Sequence, residues 1–203
     1  IGALLATPAR IVTLIGAIEK QQIEAGALDA AARARLLETG DRARRLLAGQ
    51  STDRAKIVES HRDVVAMAGD VARGKNLFDE NCARCHMPRK QGGRAGPDLS
   101  GINNKTREEL LTSILDPSFS IEPRFTNYII TTRDGRIHDG VIASETPSAL
   151  TLRGGSDEGD ETILRVNIRE TRASAISMMP DDLEKTVSKQ GLADIIAYLR
   201  GGL

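Results

Sequence analysis

Two thiols and an imidazole stand together in the run Cys82-Ala83-Arg84-Cys85-His86. Two cysteines at this spacing can react with the two vinyl groups of one haem, and the histidine that follows can reach the iron from the same turn. The spacing therefore predicts one covalently bound haem c, attached through Cys82 and Cys85, with His86 as the proximal iron ligand.

Other uses of this motif fit the chain less well. The chain has only two cysteines, so a zinc or iron–sulfur site with four thiolates would lack ligands. A thioredoxin-like redox pair is expected after a strand, whereas the pattern from Asp70 to Asn81 is helical. A disulfide between such close cysteines would restrict the unfolded chain little. Haem attachment remains the preferred interpretation.

The distal iron ligand is predicted from the run Ser177-Met178-Met179-Pro180. Thioether sulfur is a neutral, polarizable donor that favours reduced iron, and a following proline stiffens the loop. Met179 is the predicted ligand and Met178 the alternative. Met67 and Met87 are less suitable, and Met87 lies too close to the proximal turn to reach the opposite face of a haem.

The segment after the motif, Gln91 to Leu99, is rich in glycine and predicts a loop on the histidine side of the haem. The Pro97 carbonyl is expected to accept a hydrogen bond from the His86 ring, which would orient the imidazole. Arg94 is a candidate partner for a haem propionate. The predicted pocket comprises Phe78, Arg94, Pro97 and Leu99.

Three helices are predicted around this site. Asp70 is a suitable N-cap for the helix that leads to the motif, and Gly74 and Phe78 lie on one face of it. A capping box begins a helix at Arg107 to Leu115. The last helix of the chain has an apolar face of Leu192, Ile195, Ile196 and Leu199. We expect the first and last of these helices to pack together, with Gly74 allowing a close approach.

The pattern changes to strands between the second of these helices and the methionine run. Thr126 to Arg133 is rich in β-branched residues, and Asp134-Gly135 predicts a hairpin turn into Arg136 to Ala143. Ala149 to Arg153 and Glu161 to Val166 predict two more strands. His138 is a second candidate iron ligand, but a half-exposed strand histidine is the preferred interpretation.

Residues 3 to 67 predict four short helices, with an apolar stripe of Leu4, Ile11, Leu14, Ile15 and Ile18 in the first. The other three are predicted at 28–37, 42–47 and 56–67. They are typical either of the end of an α-solenoid or of a small helical cap on the next domain. The predicted fold class is mainly α. A helical region at 1–68 precedes a haem domain at 69–203, which has an inserted antiparallel β-sheet at about 124–170.

Composition limits the partners and the location of the chain. With 28 basic and 28 acidic residues the formal charge is +0, so no nucleic-acid partner is predicted. No run approaches the roughly 20 apolar residues of a transmembrane helix. The chain begins at Ile1, which suggests part of a longer protein. Because bacteria attach haem covalently outside the cytoplasm, we expect a periplasmic or otherwise exported protein.

Several motifs together resemble one family. They are Arg73-Gly74-Lys75, the cysteine–histidine run, Gly96-Pro97-Asp98-Leu99-Ser100-Gly101, Ser113-Ile114-Leu115-Asp116-Pro117, Asp134-Gly135-Arg136, Ser177-Met178-Met179-Pro180 and Ala193-Asp194-Ile195-Ile196-Ala197-Tyr198-Leu199. Over about residues 70–201 the chain is similar to the Pirellula/Verrucomicrobium-type haem-binding domain, a class I-like cytochrome c domain with a β insertion.

The resemblance implies a fold context and iron ligands. In that family the domain ends large exported proteins that begin with a sugar-dehydrogenase-like β-propeller and HEAT-like helices, and residues 3–67 are similar to the end of such a helical region. It also implies His86 as proximal and Met179 as distal ligand. The additional Met178 is a departure that leaves the choice of sulfur open.

The sequence predicts an electron-transfer module, not itself an enzyme, that passes one electron at a time from an upstream dehydrogenase domain or redox partner to another carrier. A haem enzyme or sensor with an open distal site, with peroxidase-like chemistry, is the alternative, and His138 would be its distal histidine. In a third interpretation the β insertion is a docking surface and the haem is mainly structural.

Overall fold

The computed structural model of this 203-residue chain describes residues 8–20, 22–23, 28, 32, 35–36, 39, 43, 54–86, 95–154 and 159–201. Its helices are α1 Pro8–Glu19, α2 Val71–Asn81, α3 Arg107–Leu115 and α4 Lys189–Gly201. Residues 54–60 are also helical. No helix in these ranges combines the length and the apolar character needed to cross a bilayer.

Helices α2 and α4 cross at very short range, as predicted. A Cβ atom added to Gly74 would lie 1.9 Å from the Asp194 carbonyl oxygen, so the backbones touch where only glycine fits. One turn further on, the rings of Phe78 and Tyr198 pack with their centroids 5.4 Å apart. At its start α2 is capped by Asp70, whose carboxylate accepts a 2.8 Å hydrogen bond from the Arg73 N–H.

These helices enclose an apolar core. Helix α3 begins at the predicted capping box, with Thr106 and Glu109 bonding each other's backbone N–H groups. Val64, from the 3₁₀ turn Arg62–Ala66, is fully buried in the same core. The largest fully buried side chains of the core are Phe78, Leu110, Leu111, Leu115, Leu192, Ile195 and Ile196. Ile57, Val58, Val65 and Met67 also pack against this core. The domain boundary at 68 stays a prediction.

A second apolar cluster forms around α1. It contains the predicted stripe of Ile11, Leu14, Ile15 and Ile18, joined by Leu28, Ala32, Leu36 and Ala43. Leu4 and most of the short helices predicted at 28–37 and 42–47 lie outside the described residues. The α-solenoid interpretation of this region stays a prediction.

Between α3 and α4 the chain forms a five-stranded antiparallel sheet in the order β4-β3-β2-β1-β5. The strands are β1 Asn127–Thr132, β2 Ile137–Glu145, β3 Ala149–Arg153, β4 Asp160–Leu164 and β5 Ile168–Ala173. The predicted hairpin turn is present, with Gly135 at φ 85°. Strand β5 was not predicted, and it carries the sheet past its predicted end near 170.

The connection between the two edge strands shows that the sheet curls. In a flat sheet β4 and β5 would be four strand spacings apart, or about 19 Å. Only the 3₁₀ turn Arg165–Asn167 links them, and such a turn advances about 2 Å per residue. The edges must therefore approach each other. The sheet has an apolar core of its own, made of Ile130, Leu150, Leu152 and Ile163.

Candidate functional site

The cysteine–histidine motif forms a tight turn at the C-terminal end of α2. The Cys82 N–H closes the helix on the Phe78 carbonyl at 2.8 Å, and the Cys82 carbonyl then accepts bonds from the Cys85 and His86 N–H groups at 3.1 and 2.9 Å. Both cysteines are free thiols and half-buried. One turn of backbone therefore presents both thiols and the imidazole together.

The surroundings of Cys82 differ from those of a redox-active cysteine. Burial, and to a smaller extent the neighbouring Cys85, raise the pKa of the Cys82 thiol to about 11. Catalytic and disulfide-exchanging cysteines instead lie in electropositive surroundings that lower the pKa. This contrast argues against the thioredoxin-like interpretation of the motif.

The His86 ring is oriented by a backbone carbonyl, as the sequence predicted. Its Nδ1 lies 3.1 Å from the Pro97 oxygen. Since a carbonyl oxygen only accepts, Nδ1 carries the hydrogen and Nε2 keeps a free lone pair. Burial lowers the pKa of His86, although the hydrogen bond to Pro97 opposes that shift. A neutral imidazole with a fixed tautomer is the form that ligates a metal.

Gly96 packs closely against this imidazole. Its N–H donates to the Cys85 carbonyl at 2.9 Å. A Cβ atom added to Gly96 would lie 2.7 Å from Cε1 of His86 and 2.8 Å from Nδ1. Any other residue would therefore displace the ring or the loop. The sequence predicted Gly96 only as part of a loop and did not predict its contact with His86. Its position directly before Pro97 was the sequence feature that could have indicated this role.

These features fit a haem. Two adjacent thiols at the required spacing and a neutral imidazole with one unused nitrogen are the donor set that covalent haem attachment uses. Of the other predicted pocket residues, Phe78 and Leu99 are both buried in the core on which Cys82 packs. Arg94 lies outside the described residues.

The predicted methionine loop leaves the end of β5 and is held by backbone and hydroxyl contacts. The Ser174 N–H donates to the Asn127 carbonyl at 2.8 Å. The Ser177 N–H donates to Ser118 Oγ at 3.1 Å, and the Met179 N–H donates to Ser177 Oγ at the same distance. Met178 and Met179 are both half-buried. These contacts fix the loop to β1 and to the turn after α3.

The other candidate ligand, His138, lies in the sheet. It is on β2, where only 14% of its side chain is exposed, and its Nδ1 is 2.9 Å from the Glu161 carboxylate of β4. The residue as a whole is half-buried. One of its ring nitrogens is engaged by Glu161.

Comparisons with known proteins concern the helical part of the site. Residues 71–125 match the sequence model of the Cytochrome c family. The chain is 50% identical over 38 residues to cytochrome c of Chlamydomonas reinhardtii, covering 18% of this chain and 34% of that protein. It is 42% identical over 48 residues to cytochrome c-554(547) of Halothiobacillus neapolitanus, covering 24% of this chain and 50% of that protein.

A third relative, cytochrome c of Gibberella zeae, is 49% identical over 35 residues, which are 17% of this chain and 33% of the relative. The chain therefore spans between about a third and a half of the relatives it matches. The family match includes α2, the cysteine–histidine turn and α3. Together with the environment of His86, it supports a cytochrome c-like haem-binding domain in this chain.

Proposed function

We propose that this chain is a c-type cytochrome electron-transfer module with one haem c, attached through Cys82 and Cys85 and ligated by His86 and Met179. The observation that carries the proposal is the His86 imidazole, fixed by Pro97 and Gly96 beside two free thiols. An imidazole held in one tautomer next to two attachment points suits a permanently bound, electron-carrying group.

The haem, when bound, supplies a reversible one-electron couple at its iron. The chain's own residues hold that couple in place. The Pro97 carbonyl accepts a hydrogen bond from Nδ1 of His86, which would leave Nε2 to ligate the iron. A thioether from Met179 on the other side would favour the reduced iron, because sulfur is a soft and neutral donor. Met178 is the alternative sulfur.

The finer parts of the proposal concern partners and place. We infer that the electron donor is an upstream dehydrogenase domain or a separate redox protein, and that another carrier accepts the electron. The formal charge of +0 supports docking through local surface features rather than through a global field. Attachment chemistry of this type supports an exported, periplasmic protein in a bacterium.

The optical spectrum of the chain, expressed with a haem-attachment system, tests the proposal. The expected result is a mass increase of one haem and a low-spin spectrum, with a weak sulfur–iron charge-transfer band in the oxidised form. A double variant, Cys82→Ala with Cys85→Ala, is the control and should carry no covalent haem. A colourless wild-type chain, or a high-spin form that binds carbon monoxide or reacts with peroxide, would overturn it.

A further inference from the structure

Arg54, in the helical segment 54–60, joins two distant parts of the haem domain. Its two terminal nitrogens donate to the two carboxylate oxygens of Glu184 at 2.8 and 3.0 Å. Its Nε donates to the Leu115 carbonyl at 2.7 Å, and Nη2 contacts the same oxygen. Only 13% of the Arg54 side chain and 9% of the Glu184 side chain are exposed. This is a forked, largely buried ion pair.

The charges around Arg54 explain why a cation is needed there. Leu115 ends α3, where the last carbonyls lack partners in the helix and carry partial negative charge. Asp116 follows directly, and Asp181 also interacts electrostatically with Arg54. Burial raises the pKa of Asp116, and the charge of Arg54 opposes the rise. Without Arg54, three carboxylates and a helix C-terminus would repel one another.

Two of these carboxylates belong to the segment that follows the methionines. Asp181 directly follows Met179-Pro180, and Glu184 lies three residues further along the chain. Leu183, between them, packs on the α2–α4 core. On the other side of the methionines, the Ser177 N–H is bonded to Ser118, in the same turn after α3. The loop is therefore fastened to the end of α3 both before and after Met179.

We propose that Arg54 is a positioning residue for the distal ligand: by tying Glu184 to the end of α3, it holds the methionine loop where Met179 ligates the haem iron. This inference rests on the proposed function. It assigns a part in the haem site to a residue outside both the family match at 71–125 and the predicted haem domain at 69–203. The helical segment upstream of the haem domain then acts on the properties of the iron.

The test compares the haem-loaded wild-type chain with Arg54→Ala. The variant is expected to lose most of the sulfur–iron charge-transfer band and to have a lower reduction potential. Removing one partner of a buried pair leaves the other charge uncompensated, which should release the methionine loop from its position. Carbon monoxide should then bind to the reduced form at least about tenfold faster. Hydrogen exchange should accelerate for the amides of residues 177–187.

Two further variants separate positioning from general stability. Arg62→Ala removes an arginine of the same upstream region, but one whose side chain is 72% exposed and forms an ion pair with the exposed Glu59 at 3.1 Å. It should leave band, potential and carbon monoxide binding unchanged. Glu184→Gln keeps the shape of the loop residue and removes its charge, so it should shift the same three readouts in the same direction, by less than Arg54→Ala.

The outcomes are distinct. If wild type shows the thioether band, and both Arg54→Ala and Glu184→Gln retain it with unchanged potential, the inference is wrong while the proposed function stands. A lower melting temperature in these variants with unchanged band and potential also overturns it, because Arg54 would then be merely structural. If Arg54→Ala does not fold, Glu184→Gln decides alone. If wild type lacks the band, both proposals fail.

Discussion

The two sides of the proposed haem site are built in opposite ways. The proximal side is local: Cys82, Cys85, His86, Gly96 and Pro97 lie within one short stretch of sequence and contact each other through single-turn and loop contacts. The distal methionine loop is held by residues far along the chain, since Ser118 lies 59 positions from Ser177 and Arg54 lies 130 from Glu184. A local site is robust to changes elsewhere, whereas a site held at long range responds to them.

The largest effect is expected from Gly96→Ala, which would break the local side. The added Cβ would lie 2.7 Å from the His86 ring, so the imidazole must turn or the loop must move. Loss of the contact that orients a metal-bound histidine typically costs about 10–100-fold in affinity. Haem incorporation and histidine ligation, read by mass and by optical spectrum, should fall accordingly. The control is Gly101→Ala, which has open space around its Cβ position.

Loss of the distal methionine should change the properties of the iron without releasing the haem. Met179→Ala is expected to keep the covalent haem but to lower the reduction potential by on the order of 0.1 V, within the range of about 0.8 V that axial ligands span. The reduced iron should then bind carbon monoxide. Met178→Ala is the matched control and should do little. The reverse result, measured by potentiometric titration, would show that Met178 is the ligand.

Lowering the pH should weaken the packing of α4 on α2, the helix that leads to the proximal residues, because Asp194 then becomes protonated. Burial alone would raise its pKa, but hydrogen bonds from Arg73, from the Asp70 N–H and from Gln190 outweigh this and lower it below the ordinary 3.8. A depressed folded-state pKa gives stability that is present above the ordinary value and is lost as pH falls through the lowered one.

Asp194→Asn should therefore destabilise the chain by about 2 kcal/mol at neutral pH and reduce the loss of stability below about pH 4. Urea unfolding at several pH values measures both effects. Asp79→Asn is the control, because Asp79 forms a solvent-exposed ion pair with Lys75. An acid dependence that is identical in wild type and Asp194→Asn would contradict the assignment.

The smallest effect is expected at the hydroxyl that holds the loop before the methionines. Ser118→Ala removes the acceptor of the Ser177 N–H and should cost about 1 kcal/mol, as for one neutral hydrogen bond. The change should weaken the charge-transfer band slightly and leave the proximal histidine untouched. Ser113→Ala, on an exposed position of α3, should change neither the band nor the unfolding midpoint.

Much of the fold was accessible from sequence because its signals are local. The capping box at Thr106, the N-cap at Asp70 and the hairpin at Gly135 each depend on residues a few positions apart, and all are present. The meeting of α2 with α4 was also predicted, because a glycine and an aromatic residue share one helix face. Strand β5 was missed, since four of its six residues are polar or charged.

The proximal half of the proposed site could be predicted from the sequence, because C-x-x-C-H places both thiols and the imidazole within one turn. The remaining features depend on contacts between residues far apart in the sequence. The polar strand β5 is stabilised by pairing with β1, and the short link from β4 makes the sheet curl. Arg54 reaches Glu184 only after folding, because a contact between residues 130 positions apart leaves no periodicity or spacing in the sequence.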